Sequence, residues 1–202
     1  MVTASGREVS RYPLVLRLLH WSRALLVIGL LGAGWWMTRL DDTVPSKYGT
    51  FYPTHKSFGL LVFGLIVTQI AIRLRTALPP PAAAIAIWEQ RMSTSVHTAM
   101  YVLLVAVPLM GYAMSSSYSQ SDGVTFFGIP VAEVLPKDDA RFAVFQWLHR
   151  VMAYMLLTLI GLHVAGVVKH RYFDTRPGSD VLPRMFWAAP EPKSSNSSVS
   201  VD

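Results

Sequence analysis

Four long stretches of this chain carry no Asp, Glu, Lys or Arg, and that constrains the solvent in which they can fold. They cover residues 24–37, 57–72, 92–114 and 151–168. With their apolar flanks they become candidate spans at about 14–38, 54–74, 92–114 and 142–170. Each approaches the ~20 residues a helix needs to cross a bilayer. Lipid offers the backbone no hydrogen bonds, and the alternation of a membrane β-barrel is missing, so the spans are expected to be helices. Composition agrees: 52% of the 202 residues are hydrophobic and only 15% charged, against about 25% charged in an average soluble domain. The expected fold is all-α, an integral membrane four-helix bundle.

Asp41, Asp42 and Pro45 stop the first span, and Pro79, Pro80 and Pro81 separate the second from the third. Pro108 falls inside the third, where a kink is tolerated. Residues 115–141, rich in Ser, Gly and Asp, read as the longest loop. Residues 1–186 read as one domain, and 187–202 as a polar, disordered tail.

Four spans put both termini and the 73–91 loop on one side. That side holds Arg7, Arg11, Arg17, Arg73, Arg75, Arg91, Lys169, Arg171, Arg176, Arg184 and Lys193. The other holds Arg39, Lys47, Lys56, Lys137 and Arg141. The excess places both termini in the cytoplasm of a bacterial inner membrane. The net charge of +6 is therefore a record of topology, and no basic run with interleaved aromatics suggests nucleic acid. No small-residue cleavage site follows the basic start, so the first span is expected to be retained.

Cysteine is absent, which removes disulfides, thiolate metal sites and iron–sulfur clusters. Histidine becomes the leading ligand type, and histidines inside a bilayer are functional suspects by default. His149 and His163 are 14 residues apart, which on an α-helix leaves them within about 40° of one stripe and ~21 Å apart along the axis. His170 follows seven residues later, within about 20° of His163 by the same spacing. At matching depths His149 can meet His55, and His163 can meet His20. Two bis-His sites on facing helices suit two b haems. A zinc site would cluster four ligands in one place, and a proton relay would need carboxylates that the spans lack. Single helix-end histidines are often only interfacial. Arg23, among apolar neighbours, either pairs with a carboxylate ring substituent or snorkels.

Three segments resemble the bacterial cytochrome b561 family: RYPLVLRLLHW at 11–21, YPTHKSFGLLVFGLIVTQIAIRLR at 52–75 and FQWLHRVMAYMLLTLIGLHVAGVVKHRYF at 145–173. The resemblance covers roughly residues 10–186. It implies two b haems with His20, His55, His149 and His163 as axial ligands. It also implies that His170 corresponds to a quinone-site histidine in members that oxidise superoxide at the outer face and pass electrons to ubiquinone. His97 is left for a haem propionate, a quinone pocket or a structural contact, and Arg73 closes the second span on the same side. The expected function is electron transfer from an outer donor, superoxide being the sharpest candidate, to ubiquinone. The alternative is a cytochrome b subunit serving a separate dehydrogenase, hydrogenase or periplasmic redox partner.

Overall fold

The computed structural model describes residues 11–82, 84–176 and 178–186; the expected tail at 187–202 lies outside them. Pro13 precedes helix α1, Leu14–Met37, where a fixed φ and no N–H are no handicap to a starting helix. The turn between the first two helices is held by Lys47, which donates to Asp42 at 2.5 Å and to the Leu40 carbonyl at 2.7 Å. These contacts, with Tyr48, keep the Asp42 carboxyl below its ordinary pKa. A π-helical turn, Lys47–Phe51, leads into α2, Tyr52–Arg75. Helix α3, Ile87–Ser117, runs unbroken through Pro108 and starts five residues before the expected span. Helix α4, Asp139–Val168, is capped by Asp138, whose side chain accepts from the amides of Ala140 and Arg141.

The 24 residues of α1 and of α2 rise ~36 Å each, enough for a hydrocarbon core of ~30 Å. All four helices are long and apolar enough to cross a membrane. Their packing inverts that of a soluble protein. Leu25, Leu74, Ile87 and Leu162 face outward, while a narrow core of Val27, Val62, Ile66, Leu103, Leu104 and Leu156 sits mid-bundle. Backbone satisfaction inside each helix and an apolar exterior are what a bilayer demands.

The helices do not pack as a closed square. α3 lies against α4 and α2, and α2 lies against α1, but α4 makes no comparable backbone contact with α1 or α2. A slot is left between α4 and the α1–α2 pair. After α4 the chain turns through a π-helical segment, Lys169–Phe173, and a short 3-10 turn, Leu182–Arg184. It then ties back to α1: the Trp21 indole donates to the Met185 carbonyl at 3.0 Å and Arg17 to that of Phe186 at 2.6 Å.

The segment expected as a loop contains a two-stranded hairpin. Strands β1, Val124–Phe126, and β2, Ile129–Val131, pair antiparallel. Phe127 and Gly128 turn the chain with φ of +49° and +87°, the left-handed pair that matches strand twist. The hairpin is anchored on α2. The Phe127 amide donates to Ser57 Oγ at 3.0 Å, Lys56 donates to the Gly123 carbonyl at 3.1 Å, and the Phe127 ring meets Phe58 edge-on. The stretch V-T-F-F at 124–127, between Gly123 and Gly128, was the available signal.

Candidate functional site

The slot is where the histidines converge. At the end of the bundle where α2 and α4 begin (the upper end), the His55 and His149 rings face each other with centroids 6.3 Å apart, inclined at 79°. At the opposite, lower end, His20 and His163 lie 6.4 Å apart at 65°. An imidazole nitrogen is about 1.1 Å from its ring centre, and a metal–imidazole bond is about 2.0–2.1 Å. Two imidazoles trans across one metal ion therefore have centroids about 6.3 Å apart. Both pairs stand at that spacing, too far apart to bond each other. The 14 residues from His149 to His163 lie within one continuous helix, which sets the pairs ~21 Å apart along α4. That arrangement is two separate histidine pairs, not one four-residue cluster.

The upper pair opens into a cavity of about 1150 Å³ lined from all four helices and from β1, larger than the ~300–1,000 Å³ of most small-molecule sites. Two glycines give the rings their room. A Cβ on Gly111 would lie 3.1 Å from two atoms of the His149 ring, and one on Gly34 would lie 3.4 Å from His55. Beside that close approach, His149 Nδ1 donates to the Val107 carbonyl at 2.9 Å. The proton is thereby held on Nδ1 and Nε2 keeps its lone pair, the state required of a metal-binding imidazole. His55 Nδ1 is buried with no protein partner. Lys56 and Arg150 line the same cavity and bring positive charge. A b haem, flat, apolar and bearing carboxylates, fits this donor set and its surroundings.

The lower pair has an outer partner that the sequence did not disclose. His97, on α3, places Nε2 3.2 Å from His163 Nδ1, and its own Nδ1 lies 3.3 Å from Ser93 Oγ. If Nε2 of His163 is the ligand, its Nδ1–H donates to His97, which then presents its own N–H to Ser93. The His97 ring centre is 5.0 Å from that of His163. His97, unpaired in the sequence reading, thus contacts one of the paired histidines directly. The only hint available was that His97 and His163 share a depth.

Beside the lower pair, Arg23, Gln69 and Arg73 gather around Tyr101. Gln69 Nε2 donates to the Tyr101 hydroxyl at 3.2 Å, and the two guanidinium carbons lie 5.6 and 5.8 Å from its ring centre. Arg23 is buried rather than snorkelling.

His170 sits past the end of α4 in the π-helical turn. Its Nδ1 lies 3.3 Å from Asp174. Asp174 also pairs with Arg176 at 2.5 Å, and Glu89 pairs with both Lys169 and Arg176. Hydrogen bonds from Arg176 hold the Asp174 carboxyl far below its ordinary range and push the guanidinium up. Ligand atoms of Glu89, His170 and Asp174 come within 4.8 Å of one another. Both carboxylates are already neutralised by Lys169 and Arg176, so the group is an ion-paired cap and not a cation site. Glu89 and Asp174 escaped sequence reasoning because they lie outside the uncharged stretches.

Comparison with protein families matches residues 11–188 to the family described as prokaryotic cytochrome b561. The chain is 28% identical over 180 residues to cytochrome b561 homolog 2 of Escherichia coli (strain K12), covering 87% of this chain and 90% of that protein. It is 24% identical over 160 residues to cytochrome b561 homolog 1 of the same organism, covering 77% and 87%. It is 28% identical over 159 residues to the probable superoxide oxidase CybB of Yersinia pestis, covering 76% and 85%.

Proposed function

The chain belongs to the prokaryotic cytochrome b561 family, multi-pass membrane proteins that bind b-type haem and move electrons across the bilayer, and on that premise we propose a two-haem relay between an outer one-electron donor and ubiquinone. His55 and His149 would hold the upper haem, and His20 and His163 the lower. The observation that carries this reading is the ring-centre spacing of both pairs, 6.3 and 6.4 Å, which leaves room for one metal centre between each. When bound, a bis-imidazole b haem supplies a one-electron iron centre with no open coordination position.

The polypeptide's contribution is to bind, orient and bias. The Val107 carbonyl fixes the tautomer of His149, and His97 does the same for His163. Lys56 lines the upper cavity beside His55 and favours an anionic donor there. Superoxide is the sharpest such candidate, supported by the printed name of the Yersinia relative. At the lower end, His170 turns Nδ1 to Asp174, which leaves Nε2 to meet a quinone oxygen. Arg73 and the ion-paired cap frame that end. Both termini lie on the cytoplasmic side of a bacterial inner membrane, by the excess of Lys and Arg there.

Haem quantification of the purified protein, combined with stopped-flow mixing against superoxide and a short-chain ubiquinone, tests the reading. Two b haems per chain, both reduced by superoxide and reoxidised by quinone, are expected. His163→Ala is expected to lose one haem and keep the other. Absence of haem refutes the reading outright. Two haems inert to superoxide move the protein to the carrier role, serving a separate dehydrogenase, hydrogenase or periplasmic partner.

A further inference from the structure

Arg23 stands one turn beyond His20 on α1, toward the middle of the bundle. It is 6% exposed, and its Nη1 is buried without any hydrogen-bond partner. Its neighbours cannot neutralise it. Tyr101 offers Arg23 its ring face and its neutral hydroxyl but no full negative charge, and Arg73 is a second cation, while Gln69, itself with an unpartnered Oε1, spends its amide on the Tyr101 hydroxyl. Among the described residues, the four helices carry acidic side chains only at Glu89 and Asp139. Glu89 is twelve residues before Tyr101 on α3, ~18 Å along the axis, and is committed to Lys169 and Arg176. Asp139 opens α4 at the opposite end and accepts from Ser119.

A guanidinium does not discharge on burial, and a charge buried among apolar helices without an anion is strongly disfavoured. The missing anion is therefore not supplied by the described residues. Lipid phosphate is ruled out by the burial, since a snorkelling arginine would reach the surface. We infer that Arg23 is the docking point for a carboxylate of the porphyrin held between His20 and His163. The fork of a guanidinium matches a carboxylate with two parallel N–H donors. One turn from His20, Arg23 is placed to catch the ring's edge while His20 meets its centre. The pairing fixes the rotation of the ring about its axial bonds, which two imidazoles alone leave free. This inference rests on the two-haem reading above.

The test reloads the apo-protein with haem b or with its dimethyl ester, in which both carboxylates are capped. Wild type, Arg23→Gln and Arg23→Lys are compared. The lower haem is identified as the one absent from His163→Ala, and with native haem the upper haem reports that each variant is folded. Capping is expected to weaken wild-type retention of the lower haem by about 10–100-fold, the usual cost of an outer-shell partner. Arg23→Gln should weaken native haem by a similar factor and be indifferent to capping. Arg23→Lys should recover part of the loss, and the midpoint potential of the lower haem alone should fall in Arg23→Gln as a nearby cation is removed. Equal costs of capping in wild type and Arg23→Gln overturn the inference, as does a lysine variant no better than the glutamine. A wild type that takes up no haem refutes instead the reading on which it rests.

Discussion

Gly111→Ala is the sharpest steric perturbation the bundle offers, because it adds one carbon against an imidazole held at a fixed place. The new Cβ would lie 3.1 Å from both Cε1 and Nδ1 of His149. Comfortable separations are about 3.5–4.0 Å, so the ring must retreat from α3 by ~0.4 Å or more. Val107 is on the same helix, so the retreat also stretches the 2.9 Å bond from His149 Nδ1 past the ~3.2 Å limit of a good N–H···O contact. Overpacking costs about 1–3 kcal/mol, and the lost bond about 0.5–1.5 kcal/mol. A net of ~2–3 kcal/mol makes retention of the upper haem roughly 30- to 150-fold weaker. The helix itself gains up to ~1 kcal/mol from Gly→Ala, so general unfolding is not the route. The assay is haem content per chain and haem loss on warming, followed by the reduced b-type band, with Gly34→Ala as the comparison because its Cβ meets His55 at an ordinary 3.4 Å. A Gly111→Ala protein that keeps both haems as firmly as wild type refutes the reasoning.

Other substitutions probe the supports of the site. His97→Ala removes the acceptor on His163 Nδ1; the less basic ligand is expected to raise the lower haem's potential and weaken its binding about 10–100-fold, with His97→Gln restoring part of both in a redox titration. Ser57→Ala cuts the hairpin's tie to α2, and a loss of about 1–2 kcal/mol would speed amide exchange at residues 125–131 roughly 5- to 30-fold. For Asp174, a lowered carboxyl pKa means that its pairing with Arg176 contributes fully above the ordinary value of 3.8 and is lost as pH falls through the depressed value. The melting difference between wild type and Asp174→Asn is therefore expected to stay level from pH 5 to 8 and shrink on strong acidification; a difference that grows on acidification contradicts the pairing.

Periodicity and charge were enough to read the spans, because a bilayer admits few alternatives to apolar helices and punishes every stray charge. The depth of each histidine followed from the same count, since a continuous helix advances by a fixed rise. Azimuth across helices did not follow. Whether His97 touches His163, whether Arg23 turns inward or snorkels, and whether Glu89 reaches Lys169 all depend on how α3 and α4 rotate against their neighbours. That rotation is set by side-chain packing between segments more than sixty residues apart. The hairpin over α2 is likewise held by contacts to Ser57 and Lys56 that the letters alone do not present.

The sequence by itself determined four helices, their order and the two depths at which the paired histidines lie. Only the tertiary structure decided that α4 stands off from α1 and α2, leaving a slot across which both histidine pairs face each other. The reason is physical: hydropathy and rise act along one helix, whereas the width of a slot is a balance of packing between helices that no single segment encodes.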